Sequence, residues 1–162
     1  MDDLTSNNRK TFTPQQAKSK AEAYCAYQER SQQEVRDKLY SWGLHQAAVE
    51  QLIAELIGEN YLNEERFAMA YTSGKFRMKG WGRHKIKQGL VQKQVSPPLV
   101  RIALASLDQR EYRSKLHGLL QAKARLEKEK HPYKRKNKLL RYALGKGFES
   151  ELILELLNDN EL

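Results

Sequence analysis

The sequence predicts an all-α protein built from three tandem three-helix repeats that form an elongated, curved, solenoid-like body. Residue types that favour helices dominate the composition. Apolar residues recur at helical spacing, and no run alternates with period two as a half-buried strand would. A third observation is that one pattern of turns and apolar positions recurs three times along the chain. Together they favour stacked helical units over a single globular core.

Helix signals mark the elements in order. Residues 1–13 are polar and are expected to be disordered. Pro14 suits the first turn of a helix, and Ser31 and Asn63 suit the capping position before one. Gly43 ends the second helix. The predicted helices cover, in order, about 14–28, 32–42, 46–58, 64–79, 82–95, 97–107, 109–130, 133–146 and 149–158.

Two elements carry specific expectations. The fourth helix is expected to bury one face, made of Phe67, Ala70, Tyr71, Gly74 and Met78. The seventh is a long charged helix that we expect to continue until His131 and Pro132 end it, because the residue before a proline disfavours helix.

The internal repeat is carried by three turns centred on Gly43, Gln94 and Gly147. Four apolar columns align around them: Val35, Ile86 and Leu139; Leu39, Leu90 and Ala143; Val49, Val100 and Ile153; Ile53, Leu104 and Leu157. The repeats would cover 14–60, 61–107 and 108–160. Amphipathic helices of similar length can also align by chance, and that alternative stays open at this point.

Composition limits the class of protein. The net charge is +9 and the pI is near 9.6, with 40% hydrophobic residues. Such a surface favours anionic partners, which are nucleic acid, an acidic protein face or anionic lipid. Cys25 is the only cysteine, so no disulfide framework is expected. With neither a signal peptide nor a membrane span in the sequence, we expect a cytoplasmic protein.

Positive charge is concentrated in two segments. Residues 82–95 and 133–147 together hold ten Lys or Arg residues and no acid. Because corresponding helices of adjacent repeats should face the same way, they could form one basic strip; the alternative is an ordinary solvated face. The candidate partner- or nucleic-acid-binding residues are Arg77, Lys79, Trp81, Arg83, Lys85, Lys87, Lys93, Lys134, Arg135, Lys136, Lys138 and Arg141.

Other sites have plainer interpretations. Trp81 lies between two glycines and could stack on a base, or it could close the junction of two repeats. Arg66 is interpreted as a structural ion pair and Cys25 as a small core residue. The four histidines lack metal-ligand spacing, and the glycines form no phosphate-binding loop. We therefore expect no metal, no cofactor and no catalytic site.

Several motifs resemble those of the RecX regulatory proteins. The segment YLNEERFAMAY, followed by GWGRHKIKQGLVQKQV, is similar to that family's signature, and SQQEVRDKLYSWGL is similar to a motif upstream of it. The resemblance covers about 20–160. Gln94 stands where the family usually has glycine, so this turn must adopt its conformation without one. Arg83 stands where proline is common.

The resemblance implies a function. Members of that family bind the RecA recombinase filament and usually inhibit its ATPase and strand exchange, in recombination and DNA repair. It implies the RecA filament as partner and contact with single- or double-stranded DNA. From the sequence itself we expect no membrane association and a monomer. The alternative that the sequence leaves open is a stand-alone nucleic-acid-binding module of the helix-turn-helix type.

Overall fold

The fold is all-α throughout the part of the chain that the structure describes. The structure is a computed structural model that describes residues 11–159 and residue 162. Within these residues there are nine helices and no strand. They are α1 (Pro14–Tyr27), α2 (Gln32–Ser41), α3 (Gln46–Gly58), α4 (Glu64–Lys79), α5 (Arg83–Gln92), α6 (Pro97–Ala105), α7 (Gln109–Leu126), α8 (Pro132–Gly145) and α9 (Ser150–Asp159).

The chain divides into two compact units, Met1–Phe67 and Ala68–Leu162, with the boundary inside α4. In the first unit, α1, α2 and α3 pack on one another. Its core is formed by Ala17, Ala21, Cys25, Val35, Leu39, Leu44, Val49, Leu52, Ile53, Leu56 and Leu62. The predicted capping box starts α2: the Ser31 hydroxyl accepts the Glu34 N–H, and the Glu34 carboxylate accepts the Ser31 N–H, both at 3.0 Å.

The residues just before α1 reach this core. Residues 1–10 of the segment predicted to be disordered lie outside the described residues. Phe12 lies edge-on to Trp42, with ring centroids 5.7 Å apart. Its N–H also donates to the Trp42 carbonyl at 3.1 Å.

Arg66 has the structural role predicted for it. Its Nε donates to Glu29 at 2.9 Å, and its other nitrogens reach the side-chain and backbone oxygens of Asn60 at 3.0 and 3.1 Å. These bonds hold Asn60 in its left-handed conformation, with φ +65°. Asn63 caps α4 as predicted, accepting the Arg66 N–H at 2.9 Å.

In the second unit, α5 packs on α6, while α7, α8 and α9 pack on one another. Its buried side chains include Phe76, Ile86, Leu90, Val100, Tyr112, Leu116, Leu120, Leu139, Phe148 and Ile153. Tyr112 lies between two other rings: its centroid is 5.8 Å from that of Phe76 and 5.1 Å from that of Phe148. This aromatic row joins α4, α7 and the turn after α8.

The three aligned turns have the same backbone conformation, which confirms the repeat. Gly43, Gln94 and Gly147 have φ values of +86°, +59° and +97°. In each turn the next residue is buried, and its N–H donates to the carbonyl five positions earlier. This is the usual way to satisfy the last carbonyls of a helix. Gln94 therefore adopts the conformation that glycine adopts in the other two turns.

The predicted end of the seventh helix is wrong. Helix α7 ends at Leu126 instead of continuing to residue 130, because Glu127 adopts an extended conformation. The Arg135 guanidinium donates to the carbonyls of Ala124 and Glu127 at 2.9 and 3.1 Å, which satisfies this end of the helix. His131 caps α8, with its Nδ1 accepting the Lys134 N–H at 3.5 Å.

The predicted buried face of α4 is also partly wrong. Phe67 is buried, but Ala70 is exposed and Met78 is 84% exposed. The buried residues further along are Thr72 and Phe76. The buried face is therefore rotated relative to the predicted one, because Thr72 and Phe76 pack inward while Ala70 and Met78 face solvent.

The left-handed conformation of Gln94 predicts that Gln94→Gly stabilises the protein. A residue with a Cβ is strained at this φ, so the free energy of unfolding should rise by about 0.5–1 kcal/mol. Urea denaturation measures it. The matched control is Gln88→Gly, inside α5, which should lower the free energy of unfolding by about 1 kcal/mol because glycine disfavours helix. A decrease for both variants would contradict the strain at residue 94.

Candidate partner-binding surface

The start of α5 is bonded to the end of α8. No side chain of its own caps α5. Instead, the Gly82 N–H donates to the Lys146 carbonyl at 2.8 Å, and the His84 N–H donates to the Gly147 carbonyl at 3.0 Å. These bonds satisfy N–H groups at the start of one helix and carbonyls at the end of another, all of which would otherwise need water. The two segments predicted to be basic, residues 82–95 and 133–147, therefore meet where one begins and the other ends.

Glycine is required on both sides of this contact. A Cβ on Gly82 would lie 2.5 Å from the backbone of Gly147 and Phe148. A Cβ on Gly147 would lie against the Cβ of Lys85 and 2.6 Å from its backbone nitrogen. The two backbone segments can approach so closely only because neither residue has a side chain.

A polar triad lies beside the glycines. The Tyr112 hydroxyl accepts a hydrogen bond from the backbone N–H of Arg83 at 3.0 Å and donates one to the Glu149 carboxylate at 2.7 Å. The Arg83 guanidinium stacks on the Tyr112 ring, 3.8 Å from the centroid, and lies 3.3 Å from Glu149. The Arg83 and Glu149 side chains are only 25% and 29% exposed, so solvent screens this pair less than a surface pair. Arg83 is thus a structural residue as well as a predicted binding residue.

The triad shifts the titration of the phenol. Burial, chiefly, and the hydrogen bond to the Glu149 carboxylate raise the pKa of Tyr112 well above its usual range. The hydroxyl therefore stays protonated and continues to donate to Glu149 above the pH at which an ordinary tyrosine ionises.

Trp81 is half-buried between two lysines of its own chain. The ammonium groups of Lys75 and Lys85 lie 4.9 and 4.8 Å from the centroid of the Trp81 ring. The backbone N–H of Trp81 also donates to the Lys75 carbonyl at 3.1 Å. The indole therefore helps to hold two cations in place, whatever it contacts in a partner.

The other predicted binding residues differ in exposure. The exposed ones are Arg77, Lys79, Lys87, Lys134, Lys138 and Arg141; the half-buried ones are Trp81, Arg83, Lys85, Lys93, Arg135 and Lys136. The structure brings Lys79 and Lys85 close to the end of α8, because Lys146 Nζ donates to the Lys79 carbonyl at 2.8 Å. Lys134 lies at the far end of α8, beside its N-cap.

Several basic residues of α8 hold the fold. Lys138 lies 3.4 Å from Glu127 and 3.7 Å from Glu129, and Lys136 donates to the Asn158 side chain at 2.6 Å. Although α8 contains no acid, acids from neighbouring segments therefore reach it. The absence of acids in a helix sequence overstates how much of its charge is unpaired.

Sequence reasoning missed part of the basic surface. Arg110 and Lys115 of α7 line a cleft together with Arg77 of α4. The sequence predicts that the seventh helix is long and charged, but none of its cations is among the predicted binding residues. The signal available in the sequence was their spacing, which places Arg110, Ser114 and Lys115 on neighbouring positions of one helix.

Neither a metal-ligand cluster nor a membrane-spanning helix is found among the described residues. No group of three or more His, Cys, Asp or Glu side chains within them could hold a metal ion. Among the helices described, none is both long and apolar enough to cross a membrane.

Comparison with known sequences shows the family. Three RecX domain descriptions match consecutive segments: the first three-helix domain matches residues 17–56, the second 63–104 and the third 108–157. The chain belongs to the RecX family. The order of the three matches is the order of the three turns described above.

Relatives in the RecX family have moderate identity to the chain. It is 31% identical over 137 residues to the regulatory protein RecX of Clostridium perfringens, covering 82% of this chain and 64% of that protein. The RecX of Clostridium tetani is 30% identical over 131 residues, covering 80% of this chain and 60% of that protein. The chain thus spans less than two thirds of the length of these relatives.

A solved RecX structure shows the same fold. The crystal structure of RecX from Lactobacillus salivarius matches with a TM-score of 0.82 at 24% sequence identity, covering 90% of this chain and 95% of that one. The all-α repeat fold predicted from the sequence is confirmed.

The triad predicts the effect of removing one hydroxyl. Tyr112→Phe leaves the part-buried backbone N–H of Arg83 without its acceptor and Glu149 without its donor, so the free energy of unfolding should fall by about 1–3 kcal/mol. Urea denaturation followed by circular dichroism measures it. Tyr133→Phe is the matched control, because Tyr133 is 70% exposed. Loss of its hydroxyl should change the free energy of unfolding by no more than about 0.5 kcal/mol. Equal effects of both substitutions would contradict the role of the Tyr112 hydroxyl.

The raised pKa of Tyr112 predicts a loss of stability in alkali. The unfolded chain releases the phenolic proton near pH 10, whereas the folded chain retains it, so stability is full below about pH 10 and falls above it. The wild type should lose up to about 1.4 kcal/mol per pH unit more than Tyr112→Phe above that pH. Urea midpoints from about pH 8 to about pH 11 test this. Parallel curves for the two proteins would contradict it.

Proposed function

We propose that this protein binds the RecA nucleoprotein filament and inhibits its ATPase and strand exchange, in recombination and DNA repair. It would act as a monomer in the cytoplasm, with repeats 14–60, 61–107 and 108–160 as its structural units. Membership of the RecX regulatory family carries the proposal. The distribution of positive charge in the second unit supports it.

The exposed cations of α5 and α8 are the proposed contact. Lys87 in α5, and Lys134 and Arg141 in α8, have exposed side chains. Exposed cations attract phosphates and acidic protein surfaces, and releasing counterions from DNA makes such binding sensitive to salt. Trp81, Arg83 and Lys85 would contribute from around the glycine contact, and the other predicted residues from elsewhere on α4, α5 and α8 or at their ends.

Inhibition follows if one molecule contacts several protomers. A filament offers the same surface at regular intervals, and a protein made of repeats can offer a matching series of contacts. Bound in this way, it would hold neighbouring protomers in one arrangement and oppose the movements that each round of ATP hydrolysis needs. Each contact can be weak, because linked contacts add up to tight binding.

The proposal predicts that the protein lowers the ATPase rate of RecA on single-stranded DNA, at less than one molecule per RecA protomer. Reversing the charge of Lys87, Lys134 and Arg141 to Glu should raise the concentration needed by about tenfold or more. The rate of ATP hydrolysis during a titration measures both effects.

The matched control reverses Arg101, Arg125 and Lys128, which are exposed residues outside α5 and α8. This control changes the net charge equally and should inhibit nearly as well as the wild type. If the two triple variants lose inhibition equally, total charge rather than the proposed surface is responsible. An unchanged ATPase rate, with DNA binding at the same concentrations, would instead favour the stand-alone nucleic-acid-binding module.

A further inference from the structure

A cleft lies between α4 and α7. Of the residues that line it, Arg77 is also one of the residues proposed to contact RecA. The cleft measures about 710 Å³, within the range of ligand-binding clefts. Phe76, Gly118 and Leu119 supply its apolar part. Phe76 is fixed, since its ring stacks on Tyr112 with centroids 5.8 Å apart. One part of the cleft is therefore a side chain of the packed core, and the other lining residues are exposed or half-buried.

Cations surround this apolar part. Arg77, Arg110 and Lys115 line the cleft, together with one acid, Glu111. Arg77 lies 3.8 Å from Glu111, and both side chains are more than half exposed, which makes the pair weak. Lys115 donates to the Arg77 carbonyl at 3.0 Å and so fixes one wall of the cleft while keeping its charge.

The position of Arg110 strengthens the positive field. It lies in the first turn of α7, and its side chain is exposed. The Asp108 carboxylate caps this helix start, accepting the N–H groups of Arg110 and Glu111 at 2.8 and 3.0 Å. The charge that attracts an anionic group to the mouth of the cleft is therefore that of the Arg110 guanidinium itself.

The combination of cations with an apolar interior selects the type of partner. A phosphate backbone would satisfy the cations but leave the half-buried Leu119 and the apolar floor around Gly118 uncovered. A peptide with apolar side chains on one face and carboxylates beside them satisfies both, which is how amphipathic helices bind in grooves. Charge complementarity and apolar burial therefore favour a protein over nucleic acid.

We propose that the cleft lined by Phe76, Leu119, Arg77, Arg110 and Lys115 binds an acidic amphipathic peptide segment of a protein partner. This rests on the proposed function in taking that partner to be the RecA filament. The cleft gives the protein a second contact, made with protein alone, beside the basic surface of α5 and α8.

Gly118 provides a variant that fills the cleft without disturbing the fold. A Cβ built on Gly118 meets no atom within 4 Å, and leucine favours helix more than glycine does. Gly118→Leu should therefore fold normally and occlude the cleft. Gly145→Leu is the matched control, because Gly145 is also helical, exposed and free of neighbours within 4 Å, but lies in α8.

The probe is a fluorescein-labelled peptide with leucine at positions i and i+4 and glutamate elsewhere, and its binding is followed by fluorescence anisotropy. We expect Gly118→Leu to weaken binding by about tenfold or more, and Gly145→Leu to bind like the wild type. Arg110→Glu should weaken binding similarly, although an acid in the first turn suits the helix. Arg101→Glu, with the same change in net charge, should have little effect.

Three outcomes would overturn the cleft proposal. One is equal binding of the peptide by wild type and Gly118→Leu; another is equal loss in Arg110→Glu and Arg101→Glu. The third is displacement of the peptide by a single-stranded oligonucleotide whose own binding also depends on Gly118, since the cleft would then be a nucleic-acid site.

An ATPase assay separates this proposal from the proposed function. If Gly118→Leu inhibits RecA and binds the peptide as the wild type does, the cleft proposal fails while the proposed function stands. If the wild type binds the peptide through the cleft but does not affect RecA, the cleft serves another acidic partner and the proposed function fails.

Discussion

The second unit depends on the contact between the start of α5 and the end of α8. The N–H groups of Gly82 and His84 donate to the carbonyls of Lys146 and Gly147. Because Gly82 and Gly147 have no side chains, the two backbone segments can approach this closely. N–H groups at a helix start and carbonyls at a helix end are costly to bury unpaired. By satisfying each other they allow two repeats to meet with backbone against backbone.

The same contact places the charged residues. Because α5 begins where α8 ends, Lys85 lies beside Gly147, the residue that follows Lys146. The Lys85 ammonium group lies over the Trp81 ring, and that of Lys146 donates to the Lys79 carbonyl. On the other side, Arg83 is held by Tyr112 and Glu149. Structural and functional demands thus meet in one small region, where a partner would meet cations whose positions are already fixed.

The helices and the repeat were predictable because their signals are local. Capping at Ser31 and Asn63 and the apolar columns around the three turns each depend on a few neighbouring residues. The position of Gln94 in a turn also followed from the repeat, although its residue type argues against a left-handed conformation.

Features that depend on distant residues were not predictable. The early end of α7 depends on Arg135, and the rotated face of α4 on burial of Thr72 and Phe76. The same limit applied to the surface. A helix sequence without acids suggested unpaired cations, but Glu127 and Glu149 approach from other segments. Which cations are available to a partner is therefore a property of the packing rather than of the helix sequence.

The central claim is that the exposed cations of α5 and α8 touch the RecA filament. The most direct measurement is photo-crosslinking, with a benzophenone side chain placed at Lys87 or at Arg141 and filaments formed on single-stranded DNA. We expect both positions to form adducts with RecA or with the DNA, and a benzophenone at Gln51, exposed on α3, to form few. Adducts from Gln51 alone, or none at Lys87 and Arg141 while the ATPase is inhibited, would contradict the claim.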